Sequence, residues 1–126
     1  MGCPCGSGLK YTDCCGRFIE GDQTPQTAKD LMRSRYTAYF KSHFAYLLAT
    51  WHSSTRPDRL DEKQSQHWIG LKILRTVAGQ FDDSEGVVEF IARYKVNGRA
   101  FRLHEISRFA KEDDRWFYVD GDIQEI

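Results

Sequence analysis

All four cysteines of the 126-residue chain fall between residues 3 and 15, as Cys3, Cys5, Cys14 and Cys15, and Gly6 and Gly8 supply bends in the loop between the two pairs. Zn²⁺ takes thiolates at about 2.3 Å in a tetrahedron and imposes no electronic geometry of its own, so clustering of this kind reads as one metal site. With four sulfurs on the ion no position stays open for water, and the metal would be structural. Lys10, Arg17 and the chain amino group would offset the negative charge of such a site, while Asp13 would work against them. Disulfides within this window would close tiny loops and staple nothing else. Redox chemistry favours Cys-x-x-Cys beside a βαβ unit, which is neither this spacing nor this setting. Met-Gly at the start lacks the Ser or Thr at position six that myristoylation needs. A knuckle this short cannot build a core, so its fold should depend on the ion.

A second set of polar residues lies where the pattern wants apolar ones. At 100° per residue Arg35 falls between Leu31 and Tyr39 on the buried stripe of a helix, while Arg33 points to solvent. Glu105 and Ser107 share a strand face with Phe101, Leu103 and Phe109. An unpaired buried charge is costly, which predicts that Arg35 and Glu105 meet as a charge-assisted pair. Alternatively Arg35, Glu105, His52, Tyr118 and Asp120 line the mouth of a pocket, with Glu105 or His52 as a general base and Arg35 orienting an anion. His52 follows Trp51 at a helix end, where capping or packing is the plainer role. His43, His67 and His104 are scattered and suggest no second metal. No nucleophile elbow, phosphate loop or paired-acid signature occurs.

The elements that must hold these residues follow from periodicity. Gly21–Pro25 is a short polar hinge, dividing a knuckle of residues 1–20 from a domain of residues 24–126. Thr24 and Pro25 predict an N-cap and first turn for a helix over 25–41, followed by helices over 43–51 and 58–69. From Leu71 the period changes to two, predicting four strands with turns at 82–86, Asn97-Gly98 and 112–114. Helices first and an antiparallel meander second make an α+β fold. One such core suits a chain of this length and composition, and it should stay folded when loss of the metal unfolds the knuckle.

The segment CPCGSGLKYTDCCG resembles the SEC-C type zinc motif, the module found at the carboxyl end of the protein-translocation ATPase. That resemblance assigns the vicinal pair Cys14 and Cys15 to the same ion as Cys3 and Cys5. LMRSRYTAYF at 31–40, YLLATWH at 46–52 and HEISRFAKEDDRWFYVDG at 104–121 resemble the YchJ-like family of bacterial proteins. The resemblance implies a nuclear-transport-factor-2-like cone, about three helices on a curved antiparallel sheet of about four strands, behind a zinc knuckle. Many members carry a second zinc motif at the carboxyl end, which this sequence lacks.

Lys plus Arg and Asp plus Glu both number 18, so the whole-molecule field attracts neither nucleic acid nor anionic membrane. No apolar run approaches a membrane span and the start lacks a signal-peptide core, which predicts a reducing cytoplasm. Two functions of different class follow. One is a binding or adaptor module in which the knuckle offers Lys10, Tyr11 and Arg17 to a protein, or to a ribonucleoprotein by stacking and charge. The other is a small-molecule enzyme or ligand-binding protein using the cone pocket, which rests on fold analogy.

Overall fold

The computed structural model describes residues 2–60 and 66–124. A 3₁₀ turn, Tyr11–Asp13, leads into α1 (Gly16–Ile19), α2 (Ala28–Lys41) and α3 (Phe44–Ala49). Four strands follow, β1 (His67–Ala78), β2 (Glu85–Val96), β3 (Arg99–Glu112) and β4 (Arg115–Ile123), antiparallel and in sequence order across one sheet. The fold is therefore the α+β cone expected, with three α-helices against a four-stranded sheet.

The third helix is not where periodicity placed it. His67, Trp68 and Ile69 open β1 and pair with β2, Trp68 opposite Tyr94; residues 61–65 lie outside the described residues. A short apolar run does not distinguish helix from strand. Tertiary packing decides: Trp68 turns inward onto Tyr36 and Tyr94 while Ile69 is exposed. The third helix is instead α1, in the knuckle. Val77 and Phe81, which alternation from Leu71 and Ile73 would put on the core face, are also exposed: register shifts in β1 between Trp68 and Gly70 and between Ile73 and Arg75 turn Val77 outward, and Phe81 lies in the turn beyond the strand's end at Ala78.

Asn97-Gly98 and Asp113-Asp114 each form a two-residue hairpin turn with positive φ at both positions, which suits the twist of the strands they join. α2 lies across the sheet, against β1, β2 and β4. It buries Leu31, Met32 and Tyr36 against Val88, Phe90 and Phe109. The four cysteines belong to that same buried cluster, so the knuckle packs onto the cone.

α2 also starts later than Thr24-Pro25 suggests. Thr27 is extended and its hydroxyl accepts a bond of 3.1 Å from the Asp30 amide, while Asp30 places a carboxylate in the first turn. Two favourable terms at one boundary outweigh the proline two residues upstream. Thr27→Ala is expected to lower stability by about 1 kcal/mol, within the range seen for lost N-caps. Thr24→Ala should leave it unchanged, as read from denaturant midpoints at constant slope.

Candidate metal centre and cone cavity

The knuckle is built from two backbone turns. Cys3 donates its amide to the Leu9 carbonyl at 2.7 Å and Gly6 to that of Cys3 at 3.1 Å, folding the first pair into a loop in which Gly6 and Gly8 take positive φ. The 3₁₀ turn then bonds Cys14 N to Tyr11 O at 3.0 Å and delivers the vicinal pair beside the first. All four sulfurs are buried and lie within 4.8 Å of one another. Cys5 Sγ stands 3.6 Å from Cys14 Sγ, and Cys14 Sγ 4.0 Å from Cys15 Sγ. The edges of a tetrahedron with metal–sulfur bonds of about 2.3 Å are about 3.8 Å long, so the set fits a metal ion held by four thiolates. No disulfide joins them.

Among themselves the thiols ionise unequally. The bond from Cys15 draws the Cys5 thiol strongly down, and the same bond, with burial, pushes Cys15 up. A cation bound at the centre would favour the thiolate of every one.

The cone supplies the surrounding bonds. Thr37, fully buried on α2, donates to Cys15 Sγ at 3.2 Å and lies 3.7 Å from Cys3 Sγ. Arg33 Nη1 donates to the Cys5 carbonyl at 3.0 Å and approaches Cys5 Sγ at 3.7 Å. Ser7 Oγ is 3.2 Å from Cys14 Sγ. Arg33 was expected in solvent; helix periodicity read one buried face, whereas α2 has two. The signal available was Thr37 four residues beyond Arg33, hence on the same side.

Of the proposed contact residues, Lys10 is exposed. Arg17 spends Nε on the Cys14 carbonyl at 2.9 Å and rests its guanidinium on the Phe18 ring. Tyr11 lies half-buried beneath Lys41 Nζ, 4.3 Å from the ring centroid.

Arg35, Glu105 and Tyr118 do line one cavity of about 270 Å³ between α2 and the sheet. They do not form the predicted ion pair: no described acid comes within salt-bridge distance of Arg35. Arg35 Nη1 instead donates to the Leu47 carbonyl at 2.8 Å and Thr50 Oγ1 at 2.7 Å, at the carboxyl end of α3 where unpaired carbonyls favour a cation. Trp51 and Tyr118 rings cover the guanidinium at 5.0 and 4.7 Å. Glu105 Oε2 accepts from Ser107 Oγ at 2.5 Å and from the Tyr118 hydroxyl at 3.2 Å.

His52 and Asp120 are elsewhere. Residues 50–52 add a short parallel bridge to β4, Trp51 beside Tyr118. With Trp51 turned in, His52 turns out, bonding Glu112 at 2.6 Å and Ser54 at 2.7 Å. The register shifts between Arg108 and Phe109, so that Phe109 pairs with Tyr118 and Arg108 with Asp120. Val119 is the extra residue, and it carries Asp120 to the outer face, 2.5 Å from Arg108.

Residues 2–17 match the SEC-C motif, and residues 27–121 match the family described as YchJ, middle NTF2-like domain. A UPF0225 protein of Chromobacterium violaceum is 55% identical over 123 residues, covering 94% of this chain and 90% of its own length. This chain belongs to the UPF0225, YchJ-like family. The solution structure of a SEC-C motif containing protein from Rhodopseudomonas palustris superimposes with a TM-score of 0.87 at 33% identity, covering 99% of this chain and all of that one. The crystal structure of a SEC-C motif containing protein from Psychrobacter arcticus gives 0.78 at 26%, covering 98% and 83%.

In this UPF0225 chain the bond from Thr37 to Cys15 is the clearest link between the cone and the candidate metal centre. Thr37→Val keeps the shape and removes the donor. Loss of a group that orients a ligand typically weakens metal binding 10–100-fold. That loss should appear in competition with a chromogenic chelator, while far-ultraviolet circular dichroism stays unchanged.

Proposed function

We propose that this chain is a zinc-binding adaptor whose knuckle presents a fixed contact to a protein partner. Four buried thiolates at tetrahedral spacing suit zinc, and a closed set leaves the ion structural and not catalytic. The observation that carries the reading is Leu9, a large apolar side chain 53% exposed at the tip of the knuckle. Its carbonyl is held by Cys3, and its amide donates to Ser7 Oγ at 3.2 Å, which in turn touches Cys14 Sγ. Leu9 is thus presented by bonds that run to the metal ligands, with Lys10 exposed beside it.

A protein fits this contact better than a ribonucleoprotein. Single-stranded RNA is recognised largely by stacking on aromatic rings. Tyr11, the aromatic residue of the knuckle loop, is already covered by Lys41. Persisting free thiolates require a reducing compartment, which the cytoplasm provides.

Metal analysis of reduced protein should find one zinc per chain, and zinc absorption spectra should report four sulfurs. Leu9→Asp with Lys10→Glu should keep that zinc and abolish retention of the partner from cell extract, with ribonuclease making no difference. A partner that stays bound to this variant, or leaves on ribonuclease treatment, would contradict the reading.

A further inference from the structure

The cavity beneath α2 pairs two charged groups that do not touch each other. Arg35 is 3% exposed, yet only Nη1 bonds to described residues, and its countercharge is not a carboxylate but a pair of rings and two neutral oxygens. Glu105 reaches the same cavity from β3. Tyr118 joins the two ends, its ring against Arg35 and its hydroxyl on Glu105. Burying the Arg35 cation with no anion in contact is costly, and the cost is recovered when something of complementary polarity lies between it and the half-buried Glu105.

The walls narrow the choice. Tyr36, Tyr39, Trp68 and Phe90 make them largely aromatic. The buried Nε1 of Trp68 has no hydrogen-bond partner among the described residues. Native structures seldom leave such groups unmatched. Gln66, itself exposed, also lines the cavity. At about 270 Å³ it falls just below the usual pocket range of about 300–1,000 Å³, so it suits a single ring.

We propose that the cone cavity binds a small, planar, uncharged ring carrying an acceptor for Arg35 and a donor for Glu105, in chemical class a cyclic amide or related nitrogen heterocycle. The charges of Arg35 and Glu105 cancel, so a ligand bearing a single charge would leave one uncompensated. A neutral ring avoids that cost, stacks on the aromatic walls and offers both hydrogen-bonding characters on its edge.

Gly121 positions the carboxylate. A Cβ at this residue would meet Glu105 Oε2 at 2.2 Å and its carboxyl carbon at 2.7 Å, so the Glu105 side chain lies directly over the bare backbone of β4. Its backbone angles do not themselves demand glycine. Gly121→Ala therefore displaces the carboxylate while preserving every charge.

The test is a nitrogen–proton NMR titration of the metal-loaded chain, following the Trp68 indole, with 2-pyridone, benzoate, benzylamine and toluene in parallel. The expected result is a saturable shift with 2-pyridone and binding at least tenfold weaker for the other three. Gly121→Ala should weaken 2-pyridone at least tenfold. Glu105→Gln, which leaves the cavity with a net positive charge, should make benzoate the preferred probe. The proposal is overturned if none of the four saturates, if toluene or either ion matches 2-pyridone, or if the Glu105→Gln protein keeps the original preference. Should Glu105→Gln fail to fold, an unchanged 2-pyridone affinity in Gly121→Ala overturns it equally.

Discussion

Helix α2 is the constraint on which the rest of the molecule depends, because its residues serve two interiors. Tyr36 and Thr37 are neighbours in sequence with separate tasks: the Tyr36 ring packs on Trp68 in the cavity wall, and the Thr37 hydroxyl bonds Cys15 Sγ. A rotation of 100° per residue is what lets adjacent residues face different partners. Both are buried, and so are Ser34 and Arg35. A helix of 14 residues with so little free surface packs against knuckle and sheet at once, so the cone is expected to loosen when the knuckle unfolds, and not to stay intact as periodicity alone suggests.

The two arginines of α2 make the same point electrostatically. Arg33 and Arg35 are two residues apart, about 200° around the axis. One carries its charge to the Cys5 carbonyl and sulfur, at the edge of the four-cysteine cluster. The other carries it to the carbonyl end of α3. Neither pairs with a carboxylate among the described residues. Bonds from a guanidinium to a carbonyl are charge-assisted, and they fix the knuckle and α3 to opposite sides of one helix.

The four-cysteine cluster was legible in sequence because cysteine spacing is local: Cys3, Cys5, Cys14 and Cys15 must converge if the intervening loop turns at all. The hairpins at Asn97-Gly98 and Asp113-Asp114 were legible for the same reason. Arg35 and Glu105 were correctly placed inside by periodicity, but their partners were not, since Leu47 O, Thr50 Oγ1 and Ser107 Oγ come from the three-dimensional fold. Asp120 shows the limit most sharply. Period two puts it on the face of Tyr118, and one bulged residue, Val119, sends it to the other side. A bulge leaves no mark that composition or alternation can detect. The region around Trp68 failed for a different reason, an apolar run too short for its length to choose between helix and strand.

Whether α2 is truly shared is measurable by amide hydrogen exchange on the chain with its metal and after chelation. If the knuckle and sheet jointly hold the helix, residues 33–38 exchange as slowly as the β2–β3 core when metal is bound. On chelation they and the facing β2 amides should lose protection together with residues 3–19. Faster exchange confined to residues 3–19, with α2 and β2 unchanged, would show that the knuckle is an appendage and would contradict this account.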